Sequence, residues 1–410
     1  MAEAAPASPP LASRARSTSS YVPGLDGYRA LAALMVLVFH VAERTDLTVD
    51  DQPFVYAIRP LGALGVSIFF VLSGFLLFRP FVAAHLADDP PPRIGRYLLR
   101  RVLRVFPAYW LALVATVYVF GSPERTFPSL GDFVSIVTLQ HGYDARTALS
   151  GVPVAWTLTV EVTFYAFLPF FALLPPLLAG RRPTPRERFH MQLISIALIF
   201  ALAAIIRFML IDSGARLVST FPSMMDWFAV GMLLATLRAW FDRGHDKPAV
   251  VRLLLRRPEY ALVGAAVAFA GVVALRLDGG FVRLGLGDHM GRNALFAAIG
   301  LCLVGPVALG ADGRRPLLRA LEHPIVRWFG LISYGVYLWH SLVLFELRPE
   351  LIEHFGMGTG FWPALVSTLV GTAAIAAVSW YLFENPIITY GRALQGRGRK
   401  ATPARPAGAQ

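Results

Sequence analysis

Apolar residues fall in long runs, each close to the length of a membrane-crossing helix and separated by short polar or basic connections. A helix rises 1.5 Å per residue, so crossing a bilayer takes about 20 apolar residues. Runs of this kind stand at roughly 27–43, 60–78, 105–121, 155–178, 191–211, 222–240, 258–276, 291–311, 328–347 and 362–384. The expectation is an all-α, polytopic membrane protein with about ten transmembrane helices. The first run is short and polar at both ends.

Composition agrees: 56% of the 410 residues are hydrophobic and only 16% charged, outside the usual soluble balance. Basic residues set the orientation, because short loops rich in Lys and Arg stay on the cytoplasmic side. Most of the 38 fall in the tails and the even-numbered connections, such as Arg96 to Arg104, Arg181 to Arg188 and Arg252 to Arg257. Acids gather in the opposite loops, at Glu43, Asp46, Asp50 and Asp51 and at Glu346, Glu350 and Glu353. Both termini are therefore expected in the cytoplasm. The net charge of +12 follows this topology, so no nucleic-acid partner is expected. Cys302 stands alone within a run, which excludes a disulfide framework and a cysteine metal site; no metal is expected. Residues 1–22 and 392–410 read as disordered cytoplasmic tails flanking one membrane domain, 23–391.

Ionisable residues inside such runs are costly, about 2.5–3.5 kcal/mol or more near the bilayer centre. Arg29 and His40 bracket ten apolar residues; eleven positions make about three turns, so both face one way with an axial offset of ~16 Å. Arg29 alone also fits a snorkelling anchor, and His40 a helix-end histidine in outside water. Glu161 follows Trp156, a natural interface anchor, by ~8 Å of rise, which puts it near the depth inferred for His40. An acid there would fix the tautomer of a histidine and free its other nitrogen as a base; a structural polar contact is the plainer use. His340, on the ninth run, fits either an acceptor site or a satisfied core position. Arg101 and Arg104, three apart in RRVLRVFPAYW, share a helix face and suit a phosphate-bearing ligand, or anionic lipid. Ser73-Gly74 would let helices pack closely, or leave room for a thin ligand.

These residues carry a resemblance. Arg29 with His40, FFVLSGF at 69–75, RVLRVFPAYW at 101–110, WTLTVEVTFY at 156–165, SYGVYLWH at 333–340 and FENP at 383–386 follow the order of the acyltransferase-3 family of integral membrane acyltransferases. The resemblance implies a multi-pass protein of the inner (plasma) membrane, standing alone without the extracellular hydrolase-like domain of larger members. His40 and Glu161 then belong to the catalytic core. Arg29, Arg101, Arg104 and Ser73 would hold the donor, acyl-coenzyme A, with acetyl as the expected acyl group. His340, Tyr165 and Trp156 are assigned to the substrate site, for a carbohydrate or glycolipid acceptor. Thr157, Val162 and Ala30 depart from the common Ser, second acid and Gly of the family; the ionisable core stays intact, and a second carboxylate is not counted among the expected site residues. Two other classes stay open: an acyltransferase for a small molecule such as a macrolide, and a transporter or flippase with a proton relay.

Overall fold

The computed structural model describes residues 22, 24–45, 53–121, 126–178, 183–210, 220–277, 285–311, 313, 315–348, 352 and 360–397, and among them finds helices and no strand. In chain order the helices are α1 (Leu25–Arg44), α2 (Pro53–Ile58), α3 (Leu61–Ala87), α4 (Ile94–Val114), α5 (Leu130–Val137), α6 (Trp156–Leu178), α7 (Pro185–Leu210) and α8 (Phe221–Phe241). They continue as α9 (Ala249–Arg256), α10 (Glu259–Ala274), α11 (Leu286–Ala308), α12 (Pro316–Leu321), α13 (Pro324–Leu331), α14 (Ser333–Leu342), α15 (Phe361–Ser379) and α16 (Asn385–Arg397).

Among the described residues seven helices are long and apolar enough to cross a membrane, and up to nine spans result if two bent pairs each count as one. The bends have local causes. Between α9 and α10 the chain turns 96° at Pro258, whose ring disfavours helix in the residue before it. Between α13 and α14 it turns 65° at Ile332. The difference from the ten expected runs is α8. Asp226 and Arg238 interrupt its apolar pattern: Arg238, partly exposed, pairs with the exposed Asp242 at 2.8 Å, while inside the bundle Arg207 of α7 reaches the buried Asp226 at 2.7 Å. A buried charge is tolerated when paired in this way.

The centre of the bundle is the crossing of α3 and α8. Two glycines make it possible. A Cβ on Gly74 would collide with the Phe228 carbonyl, and one on Gly231 with the backbone of Val71 and Phe75, so the two backbones touch as small-residue helix crossings in membranes do. Around this crossing Phe70 stacks on Phe228, with ring centroids 4.4 Å apart, and Phe164 of α6 stacks on Phe228 at 4.2 Å. Helix α1 lies against α3 through Gly62 and Gly65, which receive Phe39 and the Ala32–Val36 turn, and its first turn is pinned by Gly330 of α13 against Asp26.

The closing helix α16 continues to Arg397, past the boundary expected at 391. Residues 1–21, Asp46, Asp50, Asp51, Arg181, Glu350, Glu353 and 398–410 lie outside the described residues.

Candidate active site

Two chambers open inside the bundle, and residues of α1, α3, α6 and α14 line them. The first is basic. Arg29 of α1, Arg101 and Arg104 of α4, and Ser73 of α3 face it together with Glu161 and Tyr165 of α6 and Tyr334 of α14. The second holds Val36, Phe39 and His40 of α1, Arg59, Trp156, Trp227 and Arg292. Only Val66 and Tyr337 line both. Tyr337 is fixed there: its hydroxyl donates to the Val154 carbonyl at 2.9 Å and lies 2.5 Å from the Thr157 hydroxyl, while Phe69 packs edge-on against its ring at 5.9 Å.

The arginine chamber has a graded set of cations. Arg29 sits 3.5 Å from Asp26 and stays partly exposed. Arg104 is built in. It lies 3.6 Å from the buried carboxylate of Glu384, with its guanidinium over the rings of Tyr334 and Trp380. Arg101 is the most available: its Nε is buried with no hydrogen-bond partner among the described residues. A guanidinium in that state favours an anionic occupant. Ser73 donates to Glu161 at 2.6 Å, so the hydroxyl serves the chamber while the neighbouring Gly74 serves helix packing. The two uses read for Ser73-Gly74 are divided between adjacent residues.

His40 has a different partner from the one expected. Glu161 lines the arginine chamber and accepts from Ser73, whereas the imidazole of His40 meets His340 and the Val36 carbonyl. The reason is depth. Trp156 was expected at the membrane interface, yet it lines the same chamber as His40, which leaves Glu161 about 7.5 Å further along α6 by helical rise. His340 is also placed differently. It is fully buried and lines neither chamber, and its Nε2 faces Nδ1 of His40 at 3.2 Å. Trp156 is in the histidine chamber and Tyr165 in the arginine chamber beside Glu161.

The tautomers follow from the neighbours. Nδ1 of His340 lies 2.7 Å from the Tyr337 carbonyl and 3.2 Å from that of Val336; carbonyls only accept, so Nδ1 carries the proton and Nε2 keeps a lone pair. That Nε2 lies 3.2 Å from Nδ1 of His40, which is also 2.9 Å from the Val36 carbonyl. Two acceptors assign the proton to Nδ1 of His40. Its Nε2 is left as a basic nitrogen with no protein partner among the described residues. This is the arrangement a general base needs.

Several members of the site were not singled out from sequence. Tyr337 and Tyr334 stand in the SYGVYLWH stretch and Glu384 in FENP; the signal was a tyrosine pair at helical spacing and an acid closing an apolar run. Arg59 and Arg292 gave no signal beyond being cations at run ends. No group of three or more metal-ligating side chains forms among the described residues.

The chain matches the sequence profile of a family described as an acyltransferase domain over residues 22–384. It is 29% identical over 371 residues to the exopolysaccharide production protein ExoZ of Rhizobium meliloti, covering 87% of this chain and 96% of that one. It is 24% identical over 387 residues to a putative peptidoglycan O-acetyltransferase, YrhL, of Bacillus subtilis, covering 90% of this chain and 55% of that one. It is 24% identical over 388 residues to the peptidoglycan O-acetyltransferase OatA of Listeria monocytogenes, covering 91% and 56%. The chain thus spans nearly all of the first relative and just over half of the other two. No solved structure matches.

Proposed function

The chain belongs to the acyltransferase-3 family, and from that premise we propose that it moves an acyl group from cytoplasmic acyl-coenzyme A to a hydroxyl of an extracytoplasmic carbohydrate or glycolipid. Acetyl is the expected group, in keeping with relatives named as O-acetyltransferases. One observation carries the reading: a basic chamber and a chamber holding a basic imidazole nitrogen meet at Val66 and Tyr337.

Arg101, with Arg29 and Arg104, binds the phosphates of the donor at the cytoplasmic side, and the slender thioester arm passes between Val66 and Tyr337. The ~16 Å offset of Arg29 and His40 along α1 matches the distance such an arm must cover. In the histidine chamber Nε2 of His40 takes the proton of the acceptor hydroxyl, whose oxygen attacks the thioester carbonyl. The C–S bond breaks, and the departing thiolate takes the proton back from the imidazolium, so the products are an ester and free coenzyme A. His340 holds His40 in the tautomer this requires. Glu161 and Ser73 line the arm's path.

Sealed vesicles carrying the protein in one orientation, with labelled acetyl-coenzyme A on the arginine side and acceptor glycan enclosed on the other, test this. Labelled ester should form on the enclosed glycan with the wild type and be absent with His40→Ala. Ester formed only on acceptor supplied with the donor would overturn transfer across the membrane.

A further inference from the structure

The arginine chamber has a further polar layer beside the neck formed by Val66 and Tyr337, and helix α14 begins there. The chain turns by 65° between α13 and α14, and Ser333 and Tyr334, the first residues of the new helix, line the chamber. The first bond at this end runs from the Val336 N–H to the Ile332 carbonyl. The N–H groups ahead of Val336 belong to a helix start, which has no carbonyl of its own to give them, and Ile332 at the cap position makes no side-chain capping bond. Ser333 is 2% exposed, and its hydroxyl has no hydrogen-bond partner among the described residues.

Glu161 shares this level. Ser333 lies four positions before Tyr337 on α14, and Glu161 four positions after Thr157 on α6, about 6 Å of rise in each case. Both helices run the distance on the arginine side of the neck, and their starting points touch, because the Tyr337 and Thr157 hydroxyls are 2.5 Å apart. The Glu161 carboxylate accepts from Ser73 at 2.6 Å and from the Tyr165 hydroxyl; a carboxylate has about four acceptor sites, so capacity is left over. One level of a narrow channel thus offers both donors and an acceptor.

Depth says which part of a donor molecule meets this level. Ser333 precedes His340 by seven positions, about 10.5 Å along α14, whereas Arg29 is ~16 Å from His40 along α1. An extended chain advances about 1.2 Å per bond. Counted from the thioester carbon of an acyl-coenzyme A, the far amide carbonyl of the pantetheine arm is nine bonds away, about 11 Å, and the nearest phosphorus fourteen, about 17 Å. The phosphate falls at the arginines and the far amide at Ser333.

This inference rests on the acyltransferase reading. We propose that the layer reads the amides of the donor's arm: Ser333 and the N–H groups at the start of α14 donate to the far amide carbonyl, and Glu161 accepts from an amide N–H. A carboxylate on the path of a phosphate-bearing ligand repels it, and a hydrogen bond from an amide N–H to the charged group offsets that repulsion.

Equilibrium binding to the whole chain in nanodiscs tests the layer with three probes. They are coenzyme A, adenosine 3′-phosphate 5′-diphosphate, which lacks the arm, and a coenzyme A analogue whose far amide is an ester, with the carbonyl kept and the N–H lost. The wild type should bind coenzyme A at least tenfold more tightly than the armless nucleotide, and the ester about tenfold more weakly than coenzyme A. Ser333→Ala should weaken coenzyme A severalfold and leave the armless nucleotide unchanged; Glu161→Ala should close the gap between amide and ester. Equal binding of amide and ester by the wild type would overturn the inference, a result that no folding defect of a variant can imitate. So would a Ser333→Ala loss shared by the armless nucleotide, which would put a phosphate at α14. An assay of acetyl transfer separates the two readings: transfer with no penalty for the ester donor sinks the amide site alone, while arm-dependent binding with no transfer to any hydroxyl sinks the acyltransferase mechanism alone.

Discussion

Nε2 of His340 stands 3.2 Å from Nδ1 of His40, with the two rings 5.0 Å apart and tilted by 48°. One histidine thus holds the other, and the pair has unequal tasks. His40→Ala should lower kcat by about 10²- to 10⁴-fold, the usual weight of a general base. His340→Leu removes the nitrogen that accepts from Nδ1 and should cost about tenfold, the value of one hydrogen bond, with the Michaelis constant for the donor unchanged. Steady-state kinetics of both variants checks this; equal losses would place His340 in the chemistry itself.

Arg101 and Arg104 should separate in the same assay. Arg101→Gln should raise the Michaelis constant for acyl-coenzyme A about tenfold or more and leave the thermal midpoint near the wild type, since its Nε has no protein partner to lose. Arg104→Gln strands the Glu384 carboxylate, 2% exposed, and breaking a buried pair typically costs about 3–5 kcal/mol. The double variant Arg104→Gln with Glu384→Gln should recover much of that stability and none of the donor affinity. Melting in detergent, set against the kinetics, reads out both.

Neighbouring residues of α3 should fail in different ways. Gly74→Ala drives a methyl group into the Phe228 carbonyl and should destabilise the bundle by about 1–3 kcal/mol, as overpacking does. Ser73→Ala removes the hydroxyl that Glu161 accepts from, and should lower activity while the protein assembles normally. Thermal melting and an acyl-transfer assay on the two variants distinguish packing from site.

Stability should fall in acid because of His141, which lies between the spans, is 0% exposed and has no hydrogen-bond partner for either ring nitrogen among the described residues. Burial pushes its pKa down to about 4 from 6.5. The unfolded chain therefore binds the extra proton first, so the contribution is complete above pH 6.5 and is lost as pH falls towards 4. The difference amounts to about 3 kcal/mol. Melting curves between pH 4 and 7 should show this slope, and His141→Phe should flatten it.

The helical membrane architecture was legible from sequence because hydropathy at helical length is a strong, local signal. The ten runs are one more than the nine candidate spans among the described residues, and the extra one is α8, where Asp226 is paired with Arg207 from a distant part of the chain. The residues of the site were legible for the same reason that made them costly: Arg29, His40, Arg101, Arg104 and Glu161 all face a chamber. Their pairing was not. One stripe of α1 does carry Arg29 and His40, but the match of Glu161 to His40 needed the relative depth of α6, and a single tryptophan fixed it wrongly. His340 reaches His40 across 300 positions of chain, and nothing local in either segment announces it. Gly74 and Ser73 show the remaining limit, since one dipeptide met two demands that composition alone treats as rivals.

The two walls shared by both chambers bear on the cell as much as on the reaction. A bilayer protein with an uninterrupted water file from face to face would short-circuit the gradients that power the cell. Under the proposed transfer, Val66 and a Tyr337 ring fastened to Val154 would act as a stopper, letting an acyl group be handed across while ions and protons stay where respiration has put them.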